Sequence, residues 1–192
     1  IKFKIMTETI ISILLGIGLA ASSGFRVFVP LFVLSLATHF GYIPIGDSFT
    51  WIGSFTAIIC LGIATVAEIL GYYIPFVDNL LDTISLPLAG IAGTVAMAST
   101  MLNLDPMLTW GLAIIAGGGT AAAISTTTAA TRAASSVKTA GLGNPIVSTT
   151  ETAAASFLSV LAIFFPIIAF IFVLILVFIG FKLFKRFFCL KN

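Results

Sequence analysis

The chain has 192 residues, of which 59% are hydrophobic and only 8% are charged, and its formal net charge is +2. Soluble domains carry roughly 25% charged residues, so this composition excludes soluble enzymes, nucleic-acid-binding proteins and disordered chains. The two cysteines, Cys60 and Cys189, are too far apart in sequence for a disulfide framework or a paired-cysteine metal site. The composition is that of a polytopic membrane protein.

Long uncharged stretches indicate where the chain crosses the bilayer. A helix needs about 20 apolar residues to span the roughly 30 Å hydrocarbon core. We therefore predict an all-α transmembrane bundle, a single domain over residues 1–192 with about six membrane segments, some of them broken or re-entrant. The segments lie at about residues 8–24, 27–42, 51–75, 83–104, 106–134 and 145–181, and a basic cytoplasmic tail follows at 182–192.

A cluster of basic residues follows the last segment and predicts the orientation of the chain. The cluster consists of Lys182, Lys185, Arg186 and Lys191. Because cytoplasmic loops carry an excess of Lys and Arg, we expect the C-terminus in the cytoplasm of a bacterial cell, with the chain in the cytoplasmic (inner) membrane. Six crossings would bring the N-terminus to the same side.

Two of the segments contain residues that interrupt helices. The first ends in Ser22-Ser23-Gly24, and a glycine at this position is typical of a helix C-terminus. The last contains Pro166, which predicts a kink between residues 145 and 181.

Small residues dominate the fifth segment. Between residues 116 and 136, every residue except Ile124 and Arg132 is Gly, Ala, Ser or Thr. Such residues let helix backbones approach closely in a bilayer, so residues 117–134 are a candidate face for another helix, a second copy of the chain or a larger membrane complex. Alternatively, the glycines at 117–119 interrupt the helix and residues 125–128 line a polar path.

The sequence also suggests a weak internal repeat. Residues 14–21 resemble residues 115–122, with two glycines and two alanines coinciding. Glu68 before Pro75 and Glu151 before Pro166 follow these segments in the same order, as expected of a duplicated transporter half.

Four ionisable side chains fall within or at the edges of apolar segments, where each costs at least about 2.5–3.5 kcal/mol. They are Arg26, Glu68, Arg132 and Glu151. In a functional interpretation, the arginines and a helix start at Asn144-Pro145 bind an anionic group, while a glutamate takes up a proton or cation. In a structural interpretation, the arginines extend to the lipid headgroups and the glutamates neutralise them.

Two aspartates, Asp78 and Asp82, are four residues apart and would lie on one face of a helix. Clustered oxygen ligands are what hard cations such as Ca²⁺ or Mg²⁺ favour, so the pair is a candidate metal site. An ordinary interfacial helix over residues 77–86 explains the same spacing.

A set of short motifs along the chain resembles a known family. The motifs are SGFR at 23–26, Glu68 followed by IPFVD at 74–78, three glycines at 117–119, Arg132, and GNP at 143–145 followed by Glu151. Together they are similar to the domain-of-unknown-function 4126 (DUF4126) family of small bacterial and plastid membrane proteins. The resemblance covers residues 7–181 and implies a multi-spanning inner-membrane protein, but it brings no activity.

The leading functional hypothesis is a small transporter, flippase or channel for an anionic or phosphate-headed substrate, coupled through a carboxylate to a proton or cation. The predicted substrate-binding residues are Arg26, Glu68, Arg132, Asn144 and Glu151. The alternative is a non-catalytic membrane scaffold or an accessory subunit of a larger complex.

An enzyme is not expected, because the chain has one histidine and neither an HExxH nor a GxSxG motif. No catalytic residue, no cofactor and no nucleic-acid partner is predicted, and the expected partner is the lipid bilayer.

Overall fold

Helices make up 87% of the structure, a computed structural model that describes residues 2–102, 104–139 and 142–189. These described residues contain no strand. The helices are α1 (Lys2–Ser23), α2 (Phe28–His39), α3 (Phe55–Gly71), α4 (Pro75–Thr100), α5 (Pro106–Leu112), α6 (Gly119–Thr139), α7 (Asn144–Phe164) and α8 (Pro166–Cys189). A 3₁₀ helix, Asp47–Gly53, precedes α3, and a π-helical stretch, Ala113–Gly118, joins α5 to α6.

Four helical stretches are long and apolar enough to cross a membrane: Met6–Ser23, Val77–Thr100, Pro106–Thr139 and Asn144–Phe164. The 3₁₀ helix and α3 add a fifth candidate if this pair, bent by 64°, forms one span. Helix α2 and residues Pro166–Gly180 of α8 are apolar but shorter. The prediction of an all-α membrane protein is confirmed, and its count of about six segments approximates the four or five candidate spans.

Prolines set the starts of helices α4, α5, α7 and α8. Proline suits the first turn because its fixed φ is helical and its missing N–H is not needed there. The stretch at 145–181, predicted as one kinked segment, is two helices, because Phe165 before Pro166 leaves the helical conformation with φ −137° and ψ 66°. Conversely, the predicted interfacial helix at 77–86 and the segment from 83 onward form the single helix α4.

Helices α1 and α4 are antiparallel and in close contact. The Thr100 hydroxyl donates to the carbonyl oxygen of Ser12 at 3.2 Å, while eight residues further along α1, Ala20 lies against Gly93. We call the end of the bundle at which α1 ends and α4 begins the Arg26 end, because Arg26 lies just after α1. The direction of the chain reverses at each connection between helices except that between α5 and α6, which form one continuous stretch, Pro106–Thr139.

Helices α1 and α8, in contrast, run in the same direction. Gly18 of α1 lies against Ala169 near the start of α8, and Phe25 borders a groove with Leu176 further along it. The start of α1 and the end of α8 therefore lie at opposite ends of the bundle. This differs from the arrangement expected from six crossings, in which both termini lie on one side.

The small-residue segment packs within the chain. A Cβ atom on Gly93 of α4 would lie 2.6 Å from the Cβ of Ala121 and 2.8 Å from the carbonyl oxygen of Gly117, so only glycine allows this approach. The three glycines do not break the helix, since the π-helical stretch continues directly into α6. Thr126, Thr127 and Thr128 donate their hydroxyls to carbonyl oxygens of their own helix, and of the predicted polar stretch only Ser125 and Thr128 line a polar cavity.

The residues of the predicted internal repeat lie in different surroundings. Gly16 and Gly117 both lie against Met97 of α4, but Gly18 lies against Ala162 and Ala169, whereas a Cβ atom on Gly119 would meet no atom within 4 Å. Glu68 lies near the end of a helix that runs towards the Arg26 end, whereas Glu151 lies near the start of a helix that runs away from it. The two glutamates are therefore not equivalent positions of a duplicated unit.

Candidate functional site

The charged residues predicted from the sequence meet at the Arg26 end of the bundle. Arg26, in the turn between α1 and α2, and Arg132 in α6 are only 1% and 2% exposed. Two acids of α4, Asp78 and Asp82, join them and the two predicted glutamates. Together they form the charge cluster, which consists of Arg26, Glu68, Asp78, Asp82, Arg132 and Glu151.

Arg132 is the centre of the cluster and contacts three carboxylates. Its Nε donates to Oε1 of Glu151 at 3.1 Å, and its Nη2 donates to Oε2 of the same residue. Its Nη1 donates to Oδ1 of Asp78 at 2.5 Å and lies 3.5 Å from Oδ1 of Asp82. The two parallel bonds to Glu151 form the bidentate geometry that makes arginine–carboxylate pairs strong, so Arg132 joins helices α4, α6 and α7.

Arg26 contacts helix α7. Its Nε donates to Oγ1 of Thr152 at 3.0 Å, its Nη2 donates to the carbonyl oxygen of Ser148 at 2.9 Å, and its Nη2 lies 3.7 Å from Oε2 of Glu151. The remaining nitrogen, Nη1, is buried and has no hydrogen-bond partner among the described residues. Leaving a buried charged donor without an acceptor is costly, so this nitrogen is a guanidinium donor of the cluster that no described side chain or backbone oxygen satisfies.

Close packing fixes the turn that carries Arg26. A Cβ atom on Gly24 would lie 2.6 Å from the Cβ of Ile124 and 2.7 Å from the carbonyl oxygen of Ala121, so glycine is required there. The Ser22 hydroxyl donates to the carbonyl oxygen of Ala155 at 2.7 Å and ties the end of α1 to α7. The predicted helix end at Ser22-Ser23-Gly24 is therefore confirmed, since α1 ends at Ser23.

Glu68 caps helix α2. Its Oε1 accepts the backbone N–H of Val27 at 2.8 Å, and its Oε2 accepts that of Phe28 at 3.0 Å. A carboxylate at a helix N-terminus is favourable, because it satisfies free N–H groups and faces the positive end of the helix dipole. The sequence contains a signal for this contact, since α2 begins without a Ser, Thr, Asp or Asn that would cap it locally.

Tyr72 belongs to the site, although the sequence indicated only an aromatic residue at the end of a segment. Its ring centroid lies 3.8 Å from Cζ of Arg26 and 3.9 Å from Cζ of Arg132, within the range of cation–π contacts. Tyr72 lies in the turn between α3 and α4, outside the candidate spans. Burial raises the pKa of its hydroxyl to about 12, so the ring adds no negative charge at neutral pH.

Asp78 and Asp82, the predicted candidate cation pair, both face Arg132 and belong to the charge cluster. Oδ1 of each faces Nη1 of Arg132, and Oδ2 of Asp78 accepts Nδ2 of Asn144 at 2.9 Å. In the described part of the chain, no group of three or more His, Cys, Asp or Glu side chains is placed to hold a metal ion. The arginine supplies the positive charge that the spacing of the two aspartates had suggested for a metal.

Asn144 lies at the predicted helix start, and its side chain bonds to other helices. Helix α7 begins at Asn144 itself, and its N-cap residue, Gly143, makes no side-chain cap bond. The Asn144 amide instead donates to Asp78 and, at 3.0 Å, to Oγ of Ser136. Asn144 thus connects the first turns of α4 and α7, because the buried carboxylate of Asp78 is a stronger acceptor than its own helix offers.

Little space remains between these side chains. A polar cavity of about 10 Å³ lies among Glu68, Asp82, Ser125 and Arg132. A buried water needs about 10–15 Å³, so the cavity holds about one water molecule and no larger ligand in this conformation.

The cluster contains more acids than bases. Four carboxylates face two guanidinium groups, and the starts of α2 and α4 add the partial positive charge of helix N-termini, about half a charge each. Glu68 and Asp78 lie within reach of these helix ends, whereas Asp82 and Glu151 depend on the arginines alone. With every group ionised, the four carboxylates (−4) and the two guanidinium groups (+2) give the side chains of the cluster a net charge of −2.

A protein-family comparison is consistent with the membrane character of these helices. The family model described as "Domain of unknown function (DUF4126)" matches residues 13–186. No curated protein and no solved structure matches the chain. Because the matched region includes every residue of the charge cluster and all but the ends of the chain, the protein belongs to the DUF4126 family.

Proposed function

We propose that this protein is a small membrane transporter in which the charge cluster takes up and releases a proton or a cation as an anionic substrate moves. The excess of carboxylates over guanidinium groups in the cluster, three buried and one partly exposed acid against two buried bases, carries this proposal. An unbalanced charge in a site of low dielectric constant costs several kcal/mol, and a bound proton or cation removes that cost. A site of this kind is a common feature of ion-coupled membrane proteins.

Asp82 is the best candidate for the entry point of the proton or cation. Its side chain is 26% exposed, compared with 3% for Asp78 and 7% for Glu151. Its contact with Arg132, at 3.5 Å, is also longer than that of Asp78. An acid at the edge of the cluster exchanges with solvent without separating the buried pairs.

Arg26 is the best candidate for the substrate contact. The three nitrogens of Arg132 are occupied by carboxylates, so an anion would have to displace an acid to bind there. Nη1 of Arg26 has no such competitor among the described residues. Because a guanidinium forms its strongest hydrogen bonds with anionic oxygens, this atom supports an anionic or phosphate-headed substrate.

Glu151 provides a physical link between the two sites. Its carboxylate is bonded to Arg132 and lies 3.7 Å from Arg26. A proton that reaches Glu151 weakens its attraction for both arginines and frees Arg26 for an anion. The cavity, too small for a substrate in this conformation, would then have to open by separation of α6 and α7.

The test is transport by the purified protein in vesicles, with labelled inorganic phosphate and glycerol phosphate as probes. We expect an inward proton gradient to drive uptake, and we expect Arg26→Gln to abolish it. The Asp82→Asn variant should still transport the probe down the probe's concentration gradient. The proton gradient should no longer affect the uptake by this variant. The matched control is Asp47→Asn, an exposed acid at the opposite end of the bundle. Uptake equal to that of protein-free vesicles for both probes would contradict the proposal.

A scaffold or accessory subunit is the second candidate, and the small size of the cavity favours it. A cluster that encloses about one water molecule resembles a structural ion-pair network more than an open binding site. Exposed small residues of α6, such as Ala130 and Ala134, would then contact a partner chain or a second copy. Co-purification of a stoichiometric partner that α6 variants lose, together with no transport, would support this function. Neither function requires a catalytic step, and we propose none.

We further propose that the Arg26 end faces the cytoplasm in a bacterial inner membrane. Helix α8 ends on this side of the bundle, where Lys182 is exposed, and basic residues beside a span favour the cytoplasmic side. A reporter enzyme that works only outside the cytoplasm should be inactive when fused to the C-terminus and active when fused before Lys2. The opposite pattern of activity would mean that the charge cluster faces away from the cytoplasm.

A further inference from the structure

The small polar cavity of the charge cluster lies among oxygen-bearing side chains from four helices. These are Ser23 of α1, Glu68 of α3, Asp82 and Ser85 of α4, and Ser125 and Thr128 of α6. Tyr72 and Arg132 also line the cavity. The chemistry of these side chains determines what the cavity can hold.

Most of the hydroxyl groups around the cavity act there only as acceptors. Ser23, Ser85 and Thr128 each donate their hydrogen to a carbonyl oxygen of their own helix, at 3.1, 3.1 and 2.9 Å. A hydroxyl whose hydrogen is engaged offers only the lone pairs of its oxygen, and an ionised carboxylate offers only lone pairs as well. The cavity therefore presents mainly electron-pair donors, which are the ligands that a hard cation requires.

Ser125 is an independent sign that the cavity takes a ligand. The residue is only 2% exposed and lines the cavity. Its carbonyl oxygen accepts the Thr128 hydroxyl, whereas its own hydroxyl has no hydrogen-bond partner among the described residues. A buried polar group without a partner is costly, and a ligand in the cavity would remove that cost.

The negative charge of the cluster is least compensated at this cavity. Arg132 donates its hydrogen bonds to Asp78 and Glu151. Glu68 instead accepts two backbone N–H groups, and Asp82 lies 3.5 Å from Arg132, further than the about 2.7–3.2 Å of an N–H···O hydrogen bond. Of the four acids of the cluster, the two that line the cavity are thus the two without a close arginine contact.

Size and charge select the kind of cation. The cavity measures about 10 Å³, the lower limit of the space that one water molecule needs. K⁺ is about as large as a water molecule, whereas Na⁺ is smaller. Mg²⁺ keeps several of its own waters, and Ca²⁺ takes about 6–8 oxygen ligands. Because the positive end of α2 offsets part of the Glu68 charge, a monovalent ion balances the site better than a divalent one.

We propose that this cavity is a Na⁺ site, in which Glu68 and Asp82 supply the charge and the hydroxyl oxygens of Ser125 and Thr128 complete the coordination. Asp82, whose side chain is 26% exposed, connects the site to solvent. The inference names the cation of the transport cycle and, in that role, rests on the proposed function. Binding of Na⁺ can nevertheless be measured without transport.

The test measures binding of radioactive Na⁺ to the purified protein in detergent by scintillation proximity, with choline chloride holding the ionic strength constant. The variant Ser125→Ala removes one ligand. Because this hydroxyl has no hydrogen-bond partner among the described residues, its loss should leave thermal unfolding in Na⁺-free buffer unchanged. The matched control is Ser135→Ala, which changes a half-buried serine of the same helix that does not line the cavity.

We expect the wild-type protein and the control to bind one Na⁺ per chain with equal affinity. Ser125→Ala should weaken binding about tenfold, because the ion loses one oxygen ligand. Unlabelled Na⁺ should displace the label at lower concentrations than K⁺ or Ca²⁺ does. The proposal would be overturned by no saturable binding, by equal affinity in the wild-type protein and Ser125→Ala, or by stronger displacement with K⁺ or Ca²⁺.

A second variant keeps the test decisive if Ser125→Ala does not fold. Asp82→Asn removes a charged ligand from a partly exposed position, and it should reduce Na⁺ binding to the level of protein-free detergent. Asp47→Asn, at the opposite end of the bundle, should bind like the wild-type protein. Unchanged binding in Asp82→Asn would contradict the Na⁺ site. Na⁺ binding without phosphate uptake would support the site and remove the transport function, so the two failures are distinguishable.

Discussion

Helices α4 and α6 contact each other in two regions of opposite chemistry. In the first, Gly93 of α4 lies against Ala121 of α6 and against Gly117 in the π-helical stretch that leads into α6. At Asp78 and Arg132 the same two helices are joined by buried charges. Asp78 and Gly93 are fifteen residues apart along α4, and Gly117 and Arg132 are also fifteen residues apart. Both contacts therefore belong to one antiparallel register.

The two regions contribute differently to the fold. In a bilayer, lipid tails are as apolar as the helices, so close packing and polar contacts drive association. The glycine region sets the distance between α4 and α6 and tolerates no added volume. The charge cluster selects the partners of these helices, because Arg132 also requires Glu151 from α7. We therefore expect a larger side chain to lower the stability when it is placed in the glycine region. In the charge cluster, we expect the loss of a charge to lower it.

Loss of Arg132 should have the largest effect. The variant Arg132→Gln leaves Asp78 and Glu151 buried without their counter-charge, which should cost about 3–5 kcal/mol in the free energy of unfolding. The measurement is denaturant unfolding in detergent. The control is Lys138→Gln, which removes an exposed charge from the same helix. The double variant with Glu151→Gln should recover part of the loss. A single variant as stable as the control would show that the cluster does not stabilise the fold.

Added volume in the glycine region should have the next largest effect. The variant Gly93→Val forces side-chain atoms against Gly117 and Ala121, and overpacking of this kind costs about 1–3 kcal/mol. Gly119→Ala is the matched control, because no atom lies within 4 Å of a Cβ at that position. Thermal unfolding in detergent compares the two. Equal stability would mean that α4 and α6 are further apart than the structure shows.

The cap on α2 should have a smaller and local effect. In Glu68→Gln, the amide oxygen accepts one backbone N–H while the amide NH₂ faces the other, so we expect a loss of about 1–2 kcal/mol. Hydrogen exchange should become faster at Val27 and Phe28 but not in α4. Uniformly faster exchange along the chain would contradict a capping role and indicate that Glu68 supports the whole cluster.

Asp82→Asn should have the smallest effect on stability. Because its side chain is 26% exposed, water screens its pairing with Arg132, and we expect a change below about 1 kcal/mol. Chemical denaturation at neutral pH measures it, with Asp47→Asn as the reference. A loss as large as that of Arg132→Gln would place Asp82 in the stabilising core of the cluster. It could then not exchange a proton or cation without loosening the bundle.

Local sequence signals identified several members of the site but not their contacts. Arg26, Arg132 and Glu151 were visible as ionisable residues in apolar surroundings, since such positions are costly without partners. Asp78 and Asp82 carried the same charge but looked like a cation pair, because helical spacing shows which residues share a face and not what lies opposite that face. Tyr72 carried no signal, because an aromatic residue at a segment end is typical of any membrane protein.

The sequence alone determined that this chain is an all-helical membrane protein and where most helices begin, because hydropathy, proline and glycine act over a few residues. The tertiary structure decided which acid pairs with which arginine, the capping of α2 by Glu68, and the placement of the start of α1 and the end of α8 at opposite ends of the bundle. These features depend on contacts between residues that are far apart in the sequence, such as Arg26 and Ser148, which are 122 positions apart. Such contacts form only when the register and direction of every helix in between are set.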